Sequence, residues 1–186
     1  MGRGRLLPPG QTPRPDARPQ RDDAAASAPA RAMASVSAAL NPKTKIVIIN
    51  TPNNPTGVIY PQQSLDELGV LIREKEKEFG HPIILVADDI YRRLVFDGLT
   101  SGDVLLSHPH SIRVHSHSKV LGLPGVRIGF IAVHPGIPER ETICQGLVLA
   151  NRILGFVNAP ALMPVSYTHL RAHETRGNLV CRLLLE

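Results

Sequence analysis

The stretch Lys45-Ile-Val-Ile-Ile-Asn-Thr-Pro-Asn-Asn-Pro-Thr-Gly57 joins a short β-branched run to a loop with two prolines and two adjacent asparagines. An uninterrupted apolar run of this length is typical of a parallel strand that is buried on both faces. Three further runs, Pro82–Ala87, Ser111–His115 and Ile128–Val133, follow later in the chain. Because helical segments separate the runs, the sequence predicts an α/β fold with a mainly parallel sheet.

The helical segments carry recognisable start and stop signals. Ser64-Leu-Asp-Glu67 has the pattern of a capping box, in which the serine hydroxyl and the glutamate carboxylate bond the first free amides of a helix. Gly80 is placed to end that helix in the left-handed conformation. A second helix is predicted over Glu139–Leu154, and Ser35–Leu40 is expected to end an earlier one.

Composition divides the chain of 186 residues into three unequal parts. Residues 1–32 hold six Arg, three Asp and few large apolar side chains, so this segment is predicted to be disordered. The net charge of +5 comes mostly from the two ends, which argues against a nucleic-acid partner for the middle. No apolar run has the roughly 20 residues that a membrane span needs. Two distant cysteines and no secretory signal favour a cytoplasmic location.

Two motifs near the ends of predicted strands carry polar groups suited to an aromatic ligand. Asn54 lies in the proline-bracketed loop and can donate a hydrogen bond to a phenolate oxygen. Asp88 follows a strand, with Tyr91 three positions later, and a carboxylate there can hold a proton on a pyridine nitrogen. Taken alone, the first motif also fits an ordinary turn, and the second an exposed strand end.

The other two motifs combine a lysine with phosphate-binding groups. Ser116-His-Ser-Lys119 places a lysine just after a strand, where burial and nearby positive charge would lower its pKa and make it nucleophilic. In Gly122-Leu-Pro-Gly-Val-Arg-Ile-Gly129, Arg127 can grip a phosphate while the glycines allow close backbone approach. His115 and His117 form His-x-His, but the sequence offers no third ligand, so packing or a pocket wall is predicted and no metal site.

In this order the four motifs resemble the signature of class I/II aminotransferases, fold-type I enzymes such as aspartate aminotransferase that use pyridoxal 5'-phosphate (PLP). The resemblance covers residues 33–164 and implies part of a three-layer α/β/α large domain. It implies that Lys119 is the catalytic Schiff-base lysine and that Asp88 pairs with the ring nitrogen of the cofactor. The implied cofactor-binding residues are Asn54, Asp88, Tyr91, Ser116, Ser118, Lys119 and Arg127.

The resemblance implies amino transfer between an L-amino acid and a 2-oxo acid by a homodimeric parent protein, with no nucleic-acid or membrane partner. Two alternatives stay open: a PLP-dependent lyase of the same fold, and a non-catalytic aminotransferase-like module or inactive remnant. The family's upstream glycine-rich phosphate turn, its ring-stacking aromatic residue and its small C-terminal domain have no counterpart in the sequence. The chain is therefore expected to be a fragment that transaminates poorly or not at all.

The last part of the chain, residues 165–186, breaks from the pattern of the middle. Its run Ser166-Tyr-Thr-His-Leu-Arg-Ala-His-Glu-Thr175 resembles a translated sequencing-adapter tail. Residues 165–186 are therefore expected to be an artefactual tail outside the family. The sequence assigns no function to them.

Overall fold

In the computed structural model, the described residues are 28–122, 124–155 and 181–185. They form five strands and five helices, with a single 3-10 turn at Pro124–Val126. The strands are β1 (Ile46–Asn50), β2 (Ile84–Asp88), β3 (Ser111–Ser116), β4 (Gly129–Val133) and β5 (Cys181–Leu185). The helices are α1 (Ala28–Ala39), α2 (Gln62–Phe79), α3 (Val104–Ser107), α4 (His117–Val120) and α5 (Arg140–Ile153).

The strands form one sheet in the order β1-β2-β3-β4-β5. The pairs β1–β2 and β2–β3 are parallel, whereas β4 runs antiparallel to both of its neighbours. All four strands predicted from the apolar runs are present, and two of their three pairings are parallel, so the prediction of a mainly parallel α/β sheet is confirmed. Residues 117–128 join β3 to β4 through α4 and the 3-10 turn, and β4 then returns antiparallel beside β3.

Apolar side chains pack on both faces of the central strand β2 and create three layers. Strand β1 lies at the edge of the sheet with Ile46 and Ile48 exposed, so the predicted burial of this strand on both faces is wrong. On one face Leu85 and Ala87 of β2 pack with Leu65, Leu68 and Ile72 of α2, and side chains of α1 lie against the same cluster. On the other face Ile84 and Val86 pack in a cluster that contains Cys144 and Leu147 of α5. Alternate residues of β2 therefore face opposite helices, which explains why its sequence is apolar throughout.

Helix α2 does not use the predicted capping box. It begins at Gln62 after Pro61, and no side chain caps its first amides. The start is earlier because Gln62 is bound by the loop before α3: its Oε1 accepts from the Asp103 amide at 2.8 Å and its Nε2 donates to Ser107 Oγ at 2.7 Å. At the other end Gly80 adopts φ 73° and its N–H donates to the Glu76 carbonyl, as predicted.

Two elements differ from the predicted division of the chain. Helix α1 begins at Ala28, inside the segment 1–32, and the rest of that segment lies outside the described residues. Strand β5 lies inside the segment 165–186, where the sequence predicts no structure of the family, and its backbone pairs with β4 from Gly129 to Val133. Helix α5 matches the predicted Glu139–Leu154 to within one residue at each end.

No helix within the described part of the chain combines the length and the apolar character that crossing a membrane requires.

Close contact between α2 and α3 depends on Gly69, because a Cβ at this position would collide with the backbone oxygen of Ser107. We expect Gly69→Ala to lower the free energy of unfolding by about 1–3 kcal/mol, the usual cost of overpacking. Gly146 in α5 has open space around its Cβ position, so Gly146→Ala is the matched control and should gain about 0.5–1 kcal/mol. Urea denaturation measures both changes, and equal effects would contradict the packing argument.

Candidate active site

The parallel strands deliver the predicted residues to one edge of the sheet. Asn50 at the end of β1 lies opposite Asp88 at the end of β2, and Asp88 lies opposite Val114 of β3. Ser116 is the last residue of β3, two positions beyond Val114. The loop with Asn54, the turn with Tyr91 and the helix with Lys119 all follow directly from these strand ends, where ligands bind in open α/β sheets.

Asn50 connects the first loop to the second strand. Its Nδ2 donates to the Asp88 carbonyl at 3.0 Å. Its Oδ1 accepts from the backbone N–H of Asn54 at 2.8 Å and from Asn53 Nδ2 at 3.3 Å. This side chain therefore fixes the position of Asn54 relative to Asp88. No role was predicted for Asn50 from the sequence, although its place at the end of the strand, three residues before the first of the two adjacent asparagines, was a usable signal.

The amide of Asn54 and the phenol of Tyr91 come together as predicted. Asn54 Nδ2 donates to Tyr91 Oη at 3.2 Å, across 37 positions of sequence. Within the loop, Asn53 Oδ1 accepts from Thr56 Oγ1 at 2.7 Å, and Gly57 turns the chain with φ 69°. Asn54 and Tyr91 line a cavity of about 440 Å³. Its other lining residues include the apolar side chains of Leu94, Phe96 and Leu99.

Ser116, Ser118 and Arg127 line a second cavity of about 180 Å³. Ser116 Oγ donates to Ser118 Oγ at 2.9 Å and accepts from the Ser118 amide at 3.2 Å, which fixes both hydroxyls at the start of α4. Arg127 has φ 52°, and its guanidinium donates to the Pro124 carbonyl at 3.1 Å, which leaves further N–H groups of the fork for a ligand. Hydroxyl and guanidinium donors in one cavity make an anion-binding arrangement.

The two neighbouring aspartates occupy opposite environments. Asp88 is exposed at the edge of the sheet, whereas Asp89 is only 3% exposed. Asp89 Oδ1 lies 2.9 Å from His115 Nδ1, and its Oδ2 lies 3.5 Å from Arg113 Nε. Asp103 binds the other side of Arg113, with an Oδ2–NH1 distance of 2.7 Å. No role was predicted for Asp89 from the sequence, although its position continues the alternation of Leu85 and Ala87, a period-two signal for burial.

His115 and His117 are packing and cavity-wall residues, as predicted. They are 7% and 5% exposed, and their ring centroids lie 5.1 Å and 6.2 Å from that of Phe130. Burial lowers the pKa of His117, and positive charge on His115 and Arg93 lowers it further. His117 is therefore a ring that the fold holds in its neutral form.

The predicted burial of Lys119 is wrong in this structure. Helix α4 has four residues, and it buries His117 while Lys119 points from its exposed side. The structure thus groups Asn54 with Tyr91, and Ser116 with Ser118 and Arg127, in two separate cavities. Asp88 is joined to the first group through Asn50, and Lys119 follows directly from Ser118.

A parallel sheet between helices, with polar side chains collected at the carboxyl ends of its strands, defines an α/β domain built to hold a ligand at that edge. The family model for aminotransferase class I and II matches residues 28–176, and the chain belongs to this family. This match confirms the family that the four motifs indicated.

Individual relatives support the same assignment. The chain is 37% identical over 92 residues to a probable aspartate/prephenate aminotransferase of Thermus aquaticus, a match that covers 50% of this chain and 22% of the relative. An amino transferase crystal structure from Eubacterium rectale superposes with a TM-score of 0.66 and 36% identity, over 69% of this chain and 32% of that one. A PLP-dependent aminotransferase from Streptococcus suis aligns with a TM-score of 0.57 and 25% identity, over 76% and 34%. The matches thus cover about a fifth to a third of the length of these relatives.

The contrast between the two aspartates predicts opposite effects on stability. Asp89→Asn should lower the free energy of unfolding by about 2–3 kcal/mol, because a buried charge with cationic partners is removed. Asp88→Asn, the matched control, should change it by less than about 0.5 kcal/mol because the side chain is exposed. Urea denaturation of both variants tests this, and a larger loss for Asp88→Asn would reverse the assignment.

The lowered pKa of His117 predicts that stability declines in mild acid. Below the ordinary histidine pKa of about 6.5 the unfolded chain binds a proton at this position that the folded chain resists. The free energy of unfolding should therefore be constant near neutral pH and fall as the pH drops through 6.5. Replacing His117 with Leu should make this decline shallower. Denaturation curves between pH 5 and 8 measure it, and an unchanged slope in the variant would rule out His117 as the cause.

Proposed function

We propose that this chain supplies part of the cofactor-binding domain of an aminotransferase that uses pyridoxal 5'-phosphate to move an amino group between an L-amino acid and a 2-oxo acid. Lys119 carries the cofactor in this proposal. The observation that carries it is the arrangement at one sheet edge, where the Asn54–Tyr91 pair and the cavity of Ser116, Ser118 and Arg127 flank the end of β2.

The donor sets suit the chemistry of the cofactor. Two hydroxyls and a guanidinium match a phosphate group, which needs several strong donors and a positive charge. The Asn54 amide and the Tyr91 phenol both offer donors to a phenolate oxygen. Asp88 offers an exposed carboxylate for a protonated ring nitrogen. The carboxylate of Asp89 is unavailable for that role because it is buried and paired with Arg113.

When bound, PLP supplies an electron sink for a carbanion at the substrate α-carbon. The protein's part is to hold protons in the right places. Asp88 keeps the proton on the ring nitrogen, and Tyr91 with Asn54 steadies the oxygen on the ring. Lys119 Nζ would take the proton from the α-carbon of the substrate and would return it at a later stage of the reaction. Ser116, Ser118 and Arg127 fix the phosphate so that the reacting carbon stays beside Lys119.

The relatives narrow the substrate only to a class. Their names include aspartate/prephenate, aspartate and histidinol-phosphate aminotransferases, which share an amino donor and an oxo-acid acceptor and differ in the side chain. All of these names describe transfer of an amino group, which favours transamination over the lyase alternative. We propose in addition that the whole protein is a homodimer, as the resemblance to the family implies, and size-exclusion chromatography with light scattering tests this.

Borohydride labelling tests the role of Lys119. Reduction of the whole protein in the presence of PLP should fix the cofactor to Lys119, because borohydride reduces a C=N bond between lysine and cofactor to a stable amine. Peptide mapping by mass spectrometry then locates the label. Lys119→Ala should abolish it, whereas Lys43→Ala, which changes a lysine in the loop before β1, should leave it unchanged. A label that persists in Lys119→Ala would refute the assignment.

A further inference from the structure

A cluster of three side chains lies at the other end of the sheet from the cofactor-binding residues. Glu76 comes from the last turns of α2, and His108 and His110 flank Pro109 in the segment between α3 and β3. One carboxylate oxygen and one nitrogen from each ring all lie within 4.8 Å of one another. Neither the motifs of the family nor the proposed reaction uses any of the three.

We propose that Glu76, His108 and His110 bind a zinc ion. Two imidazoles and one carboxylate are a common protein ligand set for Zn²⁺, with water in the fourth position. The side chains are enclosed enough to hold an ion, because that of His108 is fully buried and that of Glu76 is 12% exposed. The side chain of His110 is 20% exposed, so this residue leaves a route for the ion and a place for the water.

The spacing of the ligands is close to what zinc requires. Ligand atoms of a tetrahedral zinc site at about 2.0–2.1 Å from the metal lie roughly 3.3–3.4 Å from one another. Glu76 Oε1 lies 3.5 Å from His108 Nε2 and 2.6 Å from His110 Nδ1. The second separation has to widen by roughly 0.7 Å. The ligand nitrogens of the two rings lie within 4.8 Å of each other. His110 is the most exposed of the three side chains, so its ring has room to make that shift.

Protein groups satisfy the ring of His108 only in part. Its Nε2 lies 3.3 Å from the Ile83 carbonyl, a contact that zinc bound at this nitrogen would replace. Its Nδ1 is buried and has no hydrogen-bond partner among the described residues, so protein groups leave this ring incompletely bonded.

The location places the ion far from the proposed cofactor-binding residues. Ile83 precedes β2, and its amide donates to Glu76 Oε1 at 2.7 Å, while His110 immediately precedes β3. The cluster thus lies at the amino ends of strands whose carboxyl ends hold Asp88 and Ser116. A strand of this length spans about 17 Å, too far for the ion to touch the proposed reaction. A zinc ion here would fasten α2 to the starts of two central strands.

Zinc titration of the full chain, after removal of metal with a chelator, tests the site. Calorimetry should show one equivalent of Zn²⁺ bound, with a rise in the thermal unfolding midpoint. Co²⁺ in the same site should show the visible absorption of a four-coordinate ion. His110→Gln and Glu76→Gln should each weaken zinc binding by about 100-fold or more, since loss of an outer partner alone costs 10–100-fold.

His134→Gln is the matched control, because this partly exposed histidine follows β4 and its backbone N–H bonds Ser111 beside His110, yet it is not one of the three clustered ligands. It should bind zinc as the unchanged chain does. The proposal is overturned if His110→Gln and Glu76→Gln bind zinc normally, if binding is lost instead in His115→Gln, or if no zinc binds. Cobalt absorption that persists in concentrated urea would also overturn it, because an unfolded chain would then be the ligand. Circular dichroism of each variant separates loss of a ligand from loss of the fold.

Discussion

Backbone hydrogen bonds hold β1, β2 and β3 parallel and in register, and this pairing brings residues that are distant in sequence to one sheet edge. This pairing places Asn50 opposite Asp88. The side chain of Asn50 can then bond both the Asp88 carbonyl and the backbone N–H of Asn54. A slip of one residue would reverse every side chain of a strand to the other face. The Asn54–Tyr91 contact and the position of Ser116 both rest on this register.

The alternation of side chains along β2 places two adjacent carboxylates in different surroundings. Asp88 is exposed at the sheet edge. Asp89 lies at alternate positions with Leu85 and Ala87, and like them it is buried. There it meets His115 and Arg113, in surroundings where an unpaired charge would be costly. One carboxylate is thereby left open to a ligand, while its neighbour anchors the end of β2 to β3 through charge.

The sheet has two chemically different ends. Hydroxyl, amide, carboxylate and guanidinium groups follow the carboxyl ends of the parallel strands, where an anionic aromatic cofactor is proposed to bind. Imidazoles and a glutamate meet near the amino ends, where Glu76 of α2 binds the Ile83 amide and lies 2.6 Å from His110. Helix α2 contributes to both regions of contact. Its first turn is bound to Asp103 through Gln62, and its last turns carry Glu76 of the histidine–glutamate cluster. The proposed cofactor site and the proposed zinc site thus lie at opposite ends of the same parallel strands.

The sequence alone predicted β1 to β4, most of α2 and α5, the family and the order of the four motifs, because apolar runs and glycine or proline signals act over a few residues. It did not predict β5. It did not determine the start of α2, which depends on contacts of Gln62 with a loop some 40 positions away. Nor did it distinguish the surroundings of Asp88 and Asp89, or join Glu76 to His108 and His110. Those outcomes were decided by tertiary structure, since burial, ion pairing and ligand geometry exist only after distant segments have packed together.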